Sequence, residues 1–200
     1  MTICSFALLG TVPEYLQMQQ ELSLLLLQQW HAHVNKRDYQ GGWDVLALRC
    51  ATQHLNSHGI LQSFAIHPDA NWSNLPYLEH SPALLHFVNT LPYQLKSVRL
   101  MRLHPGAEIN AHRDHGLSLE HGEARLHLSL QTNEQLNFFV NEKRVPMRAG
   151  ELWYINADQV HRVENKGAEP RINLVLDCVV NDHLKEQIYA GCNATPPKAD

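Results

Sequence analysis

The chain has 200 residues, of which 44% are hydrophobic, so it is long enough to bury a core without disulfides or a structural metal. Its formal net charge is −4, from 16 basic and 20 acidic residues that form no long run of either sign. This balance argues against a nucleic-acid-binding surface and favours a small-molecule or peptide partner. We therefore expect one domain spanning residues 1–200.

The cysteines give an indication of the compartment. They are scattered without a C-x-x-C pair, and a chain of this length does not need disulfides to fold. We therefore predict that all four are reduced thiols and that the protein is cytoplasmic; they are Cys4, Cys50, Cys178 and Cys192. The N-terminal segment lacks a basic leader, and no run approaches the roughly 18 apolar residues of a membrane span. A soluble protein without a membrane partner is expected.

Residues 1–95 are predicted to form a mixed helical support region. A first helix is indicated between Val12 and Trp30, where apolar residues recur at helical spacing. The pattern allows this helix to pack either on the rest of the domain or on another subunit. A second helix is signalled by Ser81 as N-cap and Pro82 at the first helical position, and it ends before Pro92.

Residues 96–180 show a different pattern, with short alternating runs separated by glycine-containing turns. The runs are SVRLMRL, RLHLSLQ, LNFFV, ELWYI, VHRVEN and RINLVLDCV. Repeated strands with tight turns predict a mainly β core, built as a sandwich or barrel. Residues 181–200 are predicted to form a short helix, capped by Asn181 or Asp182 and ended by Gly191, followed by a polar tail.

Two of these strands carry polar residues on one face. Residues two apart on a strand share a face, and leucines or isoleucine occupy the opposite one. The polar sets are Arg125, His127 and Ser129 in one strand and Arg171, Asn173 and Asp177 in the other. The pattern predicts either a barrel wall around a polar pocket or two solvated outer faces, and alternation alone does not choose between them.

The spacing His112-x-Asp114 places an imidazole and a carboxylate side by side. Nitrogen and oxygen ligands of this kind suit Fe(II), and a second imidazole would complete a facial triad with open positions. His161 is the best third ligand, because it lies in a predicted strand 49 residues after His112. The chain has 14 histidines, so one H-x-D spacing is expected by chance and the motif is weak by itself.

Two arginines strengthen this interpretation. Arg171 lies on an alternating strand and offers a planar guanidinium that can bind a carboxylate through two parallel hydrogen bonds. A dicarboxylate oxo acid that chelates iron at one end needs such an anchor at the other. Arg125 and His127 lie between the metal-ligand segments and could contact the carboxylate nearest the metal. The alternatives are a surface ion pair of Arg125 with Glu123 or Glu151, and a buried, hydrogen-bonded His127.

The most informative segments of the chain are LMRLHPGAEINAHRDHG, ARLHLSLQTN, AGELWYINADQVHRVEN and PRINLVLDCV, over roughly residues 97–178. They resemble the aspartyl/asparaginyl β-hydroxylase family. Upstream, YQGGWDVLALR resembles a segment of bacterial members, including those related to proline hydroxylases. The resemblance implies a double-stranded β-helix, or jelly-roll, cupin-like core with flanking N-terminal helices and a short C-terminal helix. It also implies hydroxylation coupled to oxidative decarboxylation of 2-oxoglutarate, with Fe(II), O2, succinate and CO2.

Matched by position, the resemblance assigns five residues of this chain to the site. Two are iron ligands, one is the partner of the distal 2-oxoglutarate carboxylate, and two are partners of the carboxylate near iron. They are, in that order, His112 and His161, then Arg171, then Arg125 and His127.

Asp114 stands where the animal peptidyl-aspartate enzymes have glycine, so this chain resembles the bacterial pattern with a complete triad. Met101 occupies a position that carries a cosubstrate-binding serine in the animal enzymes, and Ser129 is a candidate for supplying the missing hydroxyl. His115 could compete with His112 as a ligand, but only His112 has the spacing of the family.

Four residues are candidates for substrate recognition: Arg49, Arg102, Tyr39 and Trp43. An arginine in the pocket would suit a substrate carboxylate, which favours an amino acid or a peptidyl side chain. Either arginine could equally form a surface ion pair. Two other functions stay open: a cupin-type metalloenzyme that does not use 2-oxoglutarate, and a non-catalytic ligand-binding jelly roll.

Overall fold

The computed structural model describes residues 3–64 and 70–193. The strands are β1 Phe6–Thr11, β2 His31–Ala32, β3 Tyr39–Gln40, β4 Trp43–Ala51, β5 Trp72–Asn74, β6 Leu95–Leu103, β7 Glu108–His112, β8 Glu123–Gln131, β9 Leu136–Val140, β10 Lys143–Arg144, β11 Glu151–Ile155, β12 His161–Asn165 and β13 Arg171–Val179. The helices are α1 Tyr15–Leu25, α2 Gly59–Gln62, α3 Pro76–Glu79, α4 Pro82–Thr90 and α5 Asp182–Asn193, with short 3₁₀ turns at Thr52–His54 and Leu119–His121.

The strands form two antiparallel sheets that face each other. The larger sheet has the order β1-β11-β8-β13-β6-β4-β2, with β5 added on β4, and the smaller sheet has the order β10-β9-β12-β7-β3. Consecutive strands along the chain often lie in different sheets, as in a jelly roll. The predicted mainly β jelly-roll core with flanking helices is therefore confirmed.

The alternation on β8 and β13 places their leucines outside and their polar side chains inside. The leucines pack under the helices in a core that includes Met18, Leu84 and Leu184. Full burial of each such side chain contributes roughly 1.5–3 kcal/mol. The polar face points between the sheets, where Ser129 and Asn173 have no exposed surface. Of the two alternatives, the polar pocket is the one that the structure has.

The helices differ from the prediction at their ends. Helix α1 is shorter than the apolar pattern, because Val12 precedes it and Trp30 follows it. Helix α4 begins at Pro82 as predicted, but Ser81 does not cap it and instead bonds a carbonyl oxygen of the preceding turn. The carboxylate of Glu21 on α1 accepts hydrogen bonds from two backbone N–H groups in the first turn of α4, at 2.6 and 3.0 Å. A negative charge there satisfies free donors and the helix dipole.

The prediction of four reduced thiols is wrong for two cysteines. Cys4 and Cys192 form a disulfide, with 5.9 Å between their Cα atoms, whereas Cys50 and Cys178 are free and buried. The bridge arises because α5 packs on β1, which spacing along the sequence cannot reveal. Gly191 does not end α5; it permits this packing, since a Cβ there would lie 2.3 Å from the carbonyl oxygen of Leu8. A cytoplasmic location stays a prediction.

The first 95 residues are less helical than expected. They contribute β1 and β4 to the larger sheet and β3 to the smaller one, in addition to four helices. Within residues 3–64 and 70–193, no helix has the length and apolar character needed to cross a bilayer. The polar tail predicted after α5 lies outside the described residues. The division of residues 1–200 into support region, core and C-terminal helix stays a prediction.

Candidate active site

A cavity of about 520 Å³ lies between the two sheets. Six of the residues singled out from the sequence line it: His112, Asp114, Arg125, His127, His161 and Arg171. The smaller sheet supplies the two histidines of the predicted triad, and the larger sheet supplies both arginines and His127. The fold therefore brings together groups that are up to 59 residues apart, from position 112 to position 171.

The triad is assembled by the pairing of β7 with β12. His112 ends β7, His161 begins β12, and the two are partners in the antiparallel ladder. Their ring centres lie 4.2 Å apart. Asp114 follows in the next loop, where its backbone N–H donates to the carbonyl oxygen of Ala157 at 2.9 Å. One potential ligand atom from each of the three residues lies within 4.8 Å of the others, so a single metal ion fits between them.

Both histidines are held in the tautomer that a metal needs. Nδ1 of His112 lies 2.8 Å from the carbonyl oxygen of Asn110, and Nδ1 of His161 lies 3.0 Å from that of Gln159. A carbonyl oxygen only accepts, so each Nδ1 carries a hydrogen, and Nε2 is the ring nitrogen left to face a metal. Burial, followed by the nearby His112, lowers the pKa of His161 to about 4, so its imidazole is neutral at pH 7.

The carboxylate of Asp114 is shared between the triad and Arg125. One oxygen, Oδ1, lies 4.0 Å from Nε2 of His112. The other, Oδ2, accepts a hydrogen bond from Nη1 of Arg125. Burial would raise the pKa of Asp114, but the charges of Arg125, His161 and His112 together hold the pKa below its usual value. Asp114 is therefore an anion, as a metal ligand must be.

Arg125 is not on the surface, and neither Glu123 nor Glu151 is its partner. Its Nε and Nη2 donate to the two carboxylate oxygens of Asp177, at 2.7 and 3.1 Å. Asp177 is 1% exposed and also accepts a hydrogen bond from Arg99 at 2.9 Å. The result is a buried chain of alternating charges that ends at Asp114.

Arg171 lies at the inner end of the cavity without an acidic partner. Its side chain is buried, and no carboxylate of the described part of the chain lies within salt-bridge distance of it. Among the described residues its Nε has no hydrogen-bond partner, and burial lowers the pKa of Arg171 to about 9. A buried cation without compensation is costly, so this position is suited to an anionic ligand.

His127 lies beside Arg171 and offers one free donor. Its Nδ1 is 3.4 Å from Nη2 of Arg171 and 3.2 Å from Nδ2 of Asn173. Arginine only donates, so Nδ1 accepts and the proton of the neutral ring resides on Nε2. Burial, with the charge of Arg171 next, holds the pKa of His127 well below 6.5. His127 is buried and hydrogen-bonded, as in the alternative considered above, and its ring also lines the cavity.

Of the remaining residues singled out from the sequence, some line the cavity and others do not. Met101, Trp43 and His115 line the cavity, whereas Ser129 is buried beneath it and its Oγ has no partner within the described residues. Tyr39 does not line the cavity but packs edge-on against Trp43, at 5.5 Å between ring centres.

The two arginines proposed for substrate recognition do not line the cavity. Arg49 donates to Asn74 at 2.6 Å, and Arg102 binds Asp44 at 2.7 Å on the outer face of the sheet. Arg102 also lies over the ring of Trp30, at 4.5 Å from its centre. Arg102 therefore forms an ion pair, as in the alternative that the sequence had left open, whereas Arg49 bonds a neutral amide.

Several lining residues were missed from the sequence: His33, Asn35, Phe64, Lys96, Arg99 and Leu117. Arg99 was detectable, because it lies two residues from Met101 on one strand and therefore shares its face. His33 stacks on Trp43 with 3.7 Å between ring centres, and burial lowers its pKa to about 4. Nothing in the local sequence indicated that contact.

A model of the Aspartyl/Asparaginyl beta-hydroxylase family matches residues 13–180. An oxidoreductase of the 2OG-Fe(II) oxygenase family from Burkholderia pseudomallei superposes with a TM-score of 0.55 at 14% identity, over 88% of this chain and 85% of that one. HygX from Streptomyces hygroscopicus, solved with nickel and 2-oxoglutarate bound, gives 0.53 at 12% identity, over 90% and 84%. Both share the jelly-roll fold. Because the family match covers most of the sequence, the chain belongs to the aspartyl/asparaginyl β-hydroxylase family, whose members are oxygenases.

Proposed function

We propose that this protein is an Fe(II)- and 2-oxoglutarate-dependent dioxygenase that hydroxylates an aliphatic carbon of an amino acid or of a peptidyl side chain, with succinate and CO2 as coproducts. One observation carries the proposal. A triad suited to Fe(II) and a buried, unpaired Arg171 lie in the same cavity. A ligand that chelates a metal at one end and carries a carboxylate at the other satisfies both.

The residues of the chain have separate roles in this proposal. His112, Asp114 and His161 hold the iron, which when bound supplies the site where 2-oxoglutarate and O2 react. Arg171 binds the distal carboxylate of 2-oxoglutarate, and His127, whose ring proton is on Nε2, binds the carboxylate near iron, as the resemblance implies. The bound structure of HygX with nickel and 2-oxoglutarate is consistent with such an arrangement on this fold.

Apolar side chains form part of the cavity lining. They include Met101, Ile109, Phe138 and Val163. A low local dielectric strengthens the attraction between a guanidinium and a carboxylate, and it excludes water that would compete for the same hydrogen bonds. The hydroxyl that Met101 lacks is not replaced by Ser129 from within the cavity, so Arg171 carries most of the anchoring.

The substrate would occupy the part of the cavity that the cosubstrate leaves free. The cavity lining includes an aromatic group, His33, Trp43 and Phe64, and the cations Lys96 and Arg99. A cavity of about 520 Å³ leaves room for a small substrate beside the cosubstrate. An amino acid or a single peptide side chain matches this space. Arg99 lines the cavity, whereas Arg49 and Arg102 do not, but its Nη1 already donates to Asp177 and Ser97.

The test is succinate formation from 2-oxoglutarate by anaerobically Fe(II)-loaded protein after air is admitted, with a panel of amino acids and short peptides. Wild type is compared with His112→Ala and Arg171→Ala, and with Arg144→Ala as a matched change at an exposed arginine. Turnover stimulated by one panel member and lost in the first two variants supports the proposal.

Two other outcomes favour the alternative functions. Metal-dependent turnover that survives Arg171→Ala would favour a cupin-type metalloenzyme that does not use 2-oxoglutarate. Absence of succinate with every candidate, together with no calorimetric binding of 2-oxoglutarate to the metal-loaded protein, would favour a non-catalytic ligand-binding jelly roll.

A further inference from the structure

The guanidinium of Arg125 lies between two carboxylates. Three of its five N–H donors are used, two by Asp177 and one by Oδ2 of Asp114. The hydrogen bonds to Asp177 come from Nε and Nη2 and form a bidentate pair, which fixes the plane of the guanidinium. The third nitrogen, Nη1, is thereby aimed at Asp114.

Asp177 is itself held in place by three neighbours. It is paired with Arg125 across β13 and β8, so the strand register sets their relation. Its Oδ2 accepts from Oγ of Ser97 at 3.1 Å and from Nη1 of Arg99 at 2.9 Å, both from β6. The contacts with Ser97 and Arg99 are buried, and the three neighbours come from β8 and β6, the two strands that flank β13 in the larger sheet. Asp177 is therefore an anchor that cannot rotate without breaking several charged contacts.

The consequence falls on Asp114, which lies in a loop and lacks support from a strand. With Oδ2 bound by Arg125, Oδ1 is left on the side of His112, at 4.0 Å from its Nε2. We infer that Arg125, fixed by Asp177, is a positioning residue that presents Asp114 to the metal through a single oxygen. This inference rests on the proposed metal site of His112, Asp114 and His161.

The resemblance implies a different role for Arg125, as a partner of the cosubstrate carboxylate near iron. The two roles make opposite predictions when 2-oxoglutarate is absent. A residue that only contacts the cosubstrate leaves the affinity for metal alone unchanged. A residue that orients a metal ligand changes that affinity, and outer partners of ligands typically contribute about 10–100-fold.

The experiment is calorimetric titration of the metal-free protein with Ni(II), without 2-oxoglutarate. We expect Arg125→Lys, which keeps the charge but loses the fork, to weaken Ni(II) binding by about 10–100-fold. Asp177→Asn should weaken it in the same direction. Arg144→Lys makes the same chemical change at an exposed arginine and should leave the affinity unaltered.

A double-mutant cycle separates positioning from general damage. In an Asp114→Ala background, Arg125→Lys should have no further effect on Ni(II) affinity, because the ligand that it orients is gone. If Arg125→Lys weakens binding equally in both backgrounds, or leaves the affinity of the wild-type background unchanged, the inference is overturned. Circular dichroism reports whether each variant is folded; should Asp177→Asn unfold, the Arg125→Lys cycle decides alone.

Failure of the proposed metal site gives a different result. Wild type would then bind no Ni(II), or His112→Ala would bind it as tightly as wild type, and this inference would fall with the site. A second readout is the visible absorption of the Co(II)-loaded protein. If Arg125→Lys changes how the Asp114 carboxylate binds the metal, the positions of these bands should change in that variant. They should stay the same in Arg144→Lys.

Discussion

The guanidinium carbon of Arg171 lies 5.6 Å from the centre of the Phe138 ring, in a part of the cavity where no described residue supplies a carboxylate. The arginine comes from the larger sheet and the phenylalanine from the smaller one. The ring offers only a weak compensation for the buried charge. The position is therefore prepared for a ligand at the expense of the stability of the empty protein.

Replacing Arg171 by Met should stabilise the ligand-free protein and abolish 2-oxoglutarate binding. Removing an uncompensated buried cation is expected to raise the free energy of unfolding by roughly 1–3 kcal/mol. Urea unfolding and calorimetry measure the two effects. Arg99→Met provides the contrast, because Arg99 is buried but paired with Asp177 and its loss should destabilise the protein. A lower stability in Arg171→Met would contradict the prediction.

The stability of the metal-free protein should fall as the pH is lowered below 6.5. Burial lowers the pKa of His33 and His161 to about 4, so the unfolded chain takes up more protons between pH 6.5 and 4. Each histidine should cost about 2 kcal/mol near pH 5 relative to neutral pH. Urea unfolding at the two pH values measures the loss, and His33→Phe, which keeps the stack on Trp43, should reduce it. An unchanged pH dependence in that variant would rule out His33 as a source.

Reducing the disulfide should lower the stability of the protein. A disulfide typically contributes about 2–4 kcal/mol, with larger values for longer loops, and this one joins residues with a sequence separation of 188. Thermal unfolding with and without dithiothreitol measures the difference. The Cys4→Ser variant lacks the bridge, so its unfolding temperature should be the same with and without dithiothreitol. Titration of thiols in the unreduced, denatured protein should find only Cys50 and Cys178; four reactive thiols would show that the bridge does not form.

The Glu21 carboxylate should act as the cap of α4. Glu21→Ala removes the acceptor for two backbone N–H groups and should cost about 1 kcal/mol. Glu14→Ala, which removes an exposed contact with His86 at 3.9 Å and no side-chain cap, serves as the matched control and should cost much less. Urea unfolding of both variants tests the difference. Equal losses would argue against the cap.

The sequence predicts strands well where polar and apolar residues alternate and poorly where they do not. Strands β8 and β13 alternate, and their bounds differ little from the predicted runs. Strand β4 was not predicted because its charged residues, Asp44 and Arg49, are five residues apart and give no regular alternation. The disulfide was not predicted for a different reason: it depends on how the segments that carry Cys4 and Cys192 meet in the folded chain.

The residues of the proposed metal site and Arg171 could be singled out from the sequence because residue type and spacing carry the chemistry of such a site. The choice between Arg99 and Arg102 depended on which face of β6 each residue occupies. Only the face that carries Met101 and Arg99 lines the cavity. The partner of Arg125 could not be predicted, because Asp177 becomes its neighbour through the register of β13 on β8. Such contacts are set by the assembled sheet and leave no local pattern.

The two sheets carry different halves of the site. The smaller sheet holds the paired histidines of the triad, and the larger sheet holds Arg171. The distance between metal and cosubstrate anchor is therefore fixed by the apolar filling between the layers, in which Phe138 and Val163 face Met101 and Val175. Changing the volume of this filling would change the spacing between the two sheets. Each half of the site would keep its own geometry, but a cosubstrate of fixed length would no longer reach from one half to the other.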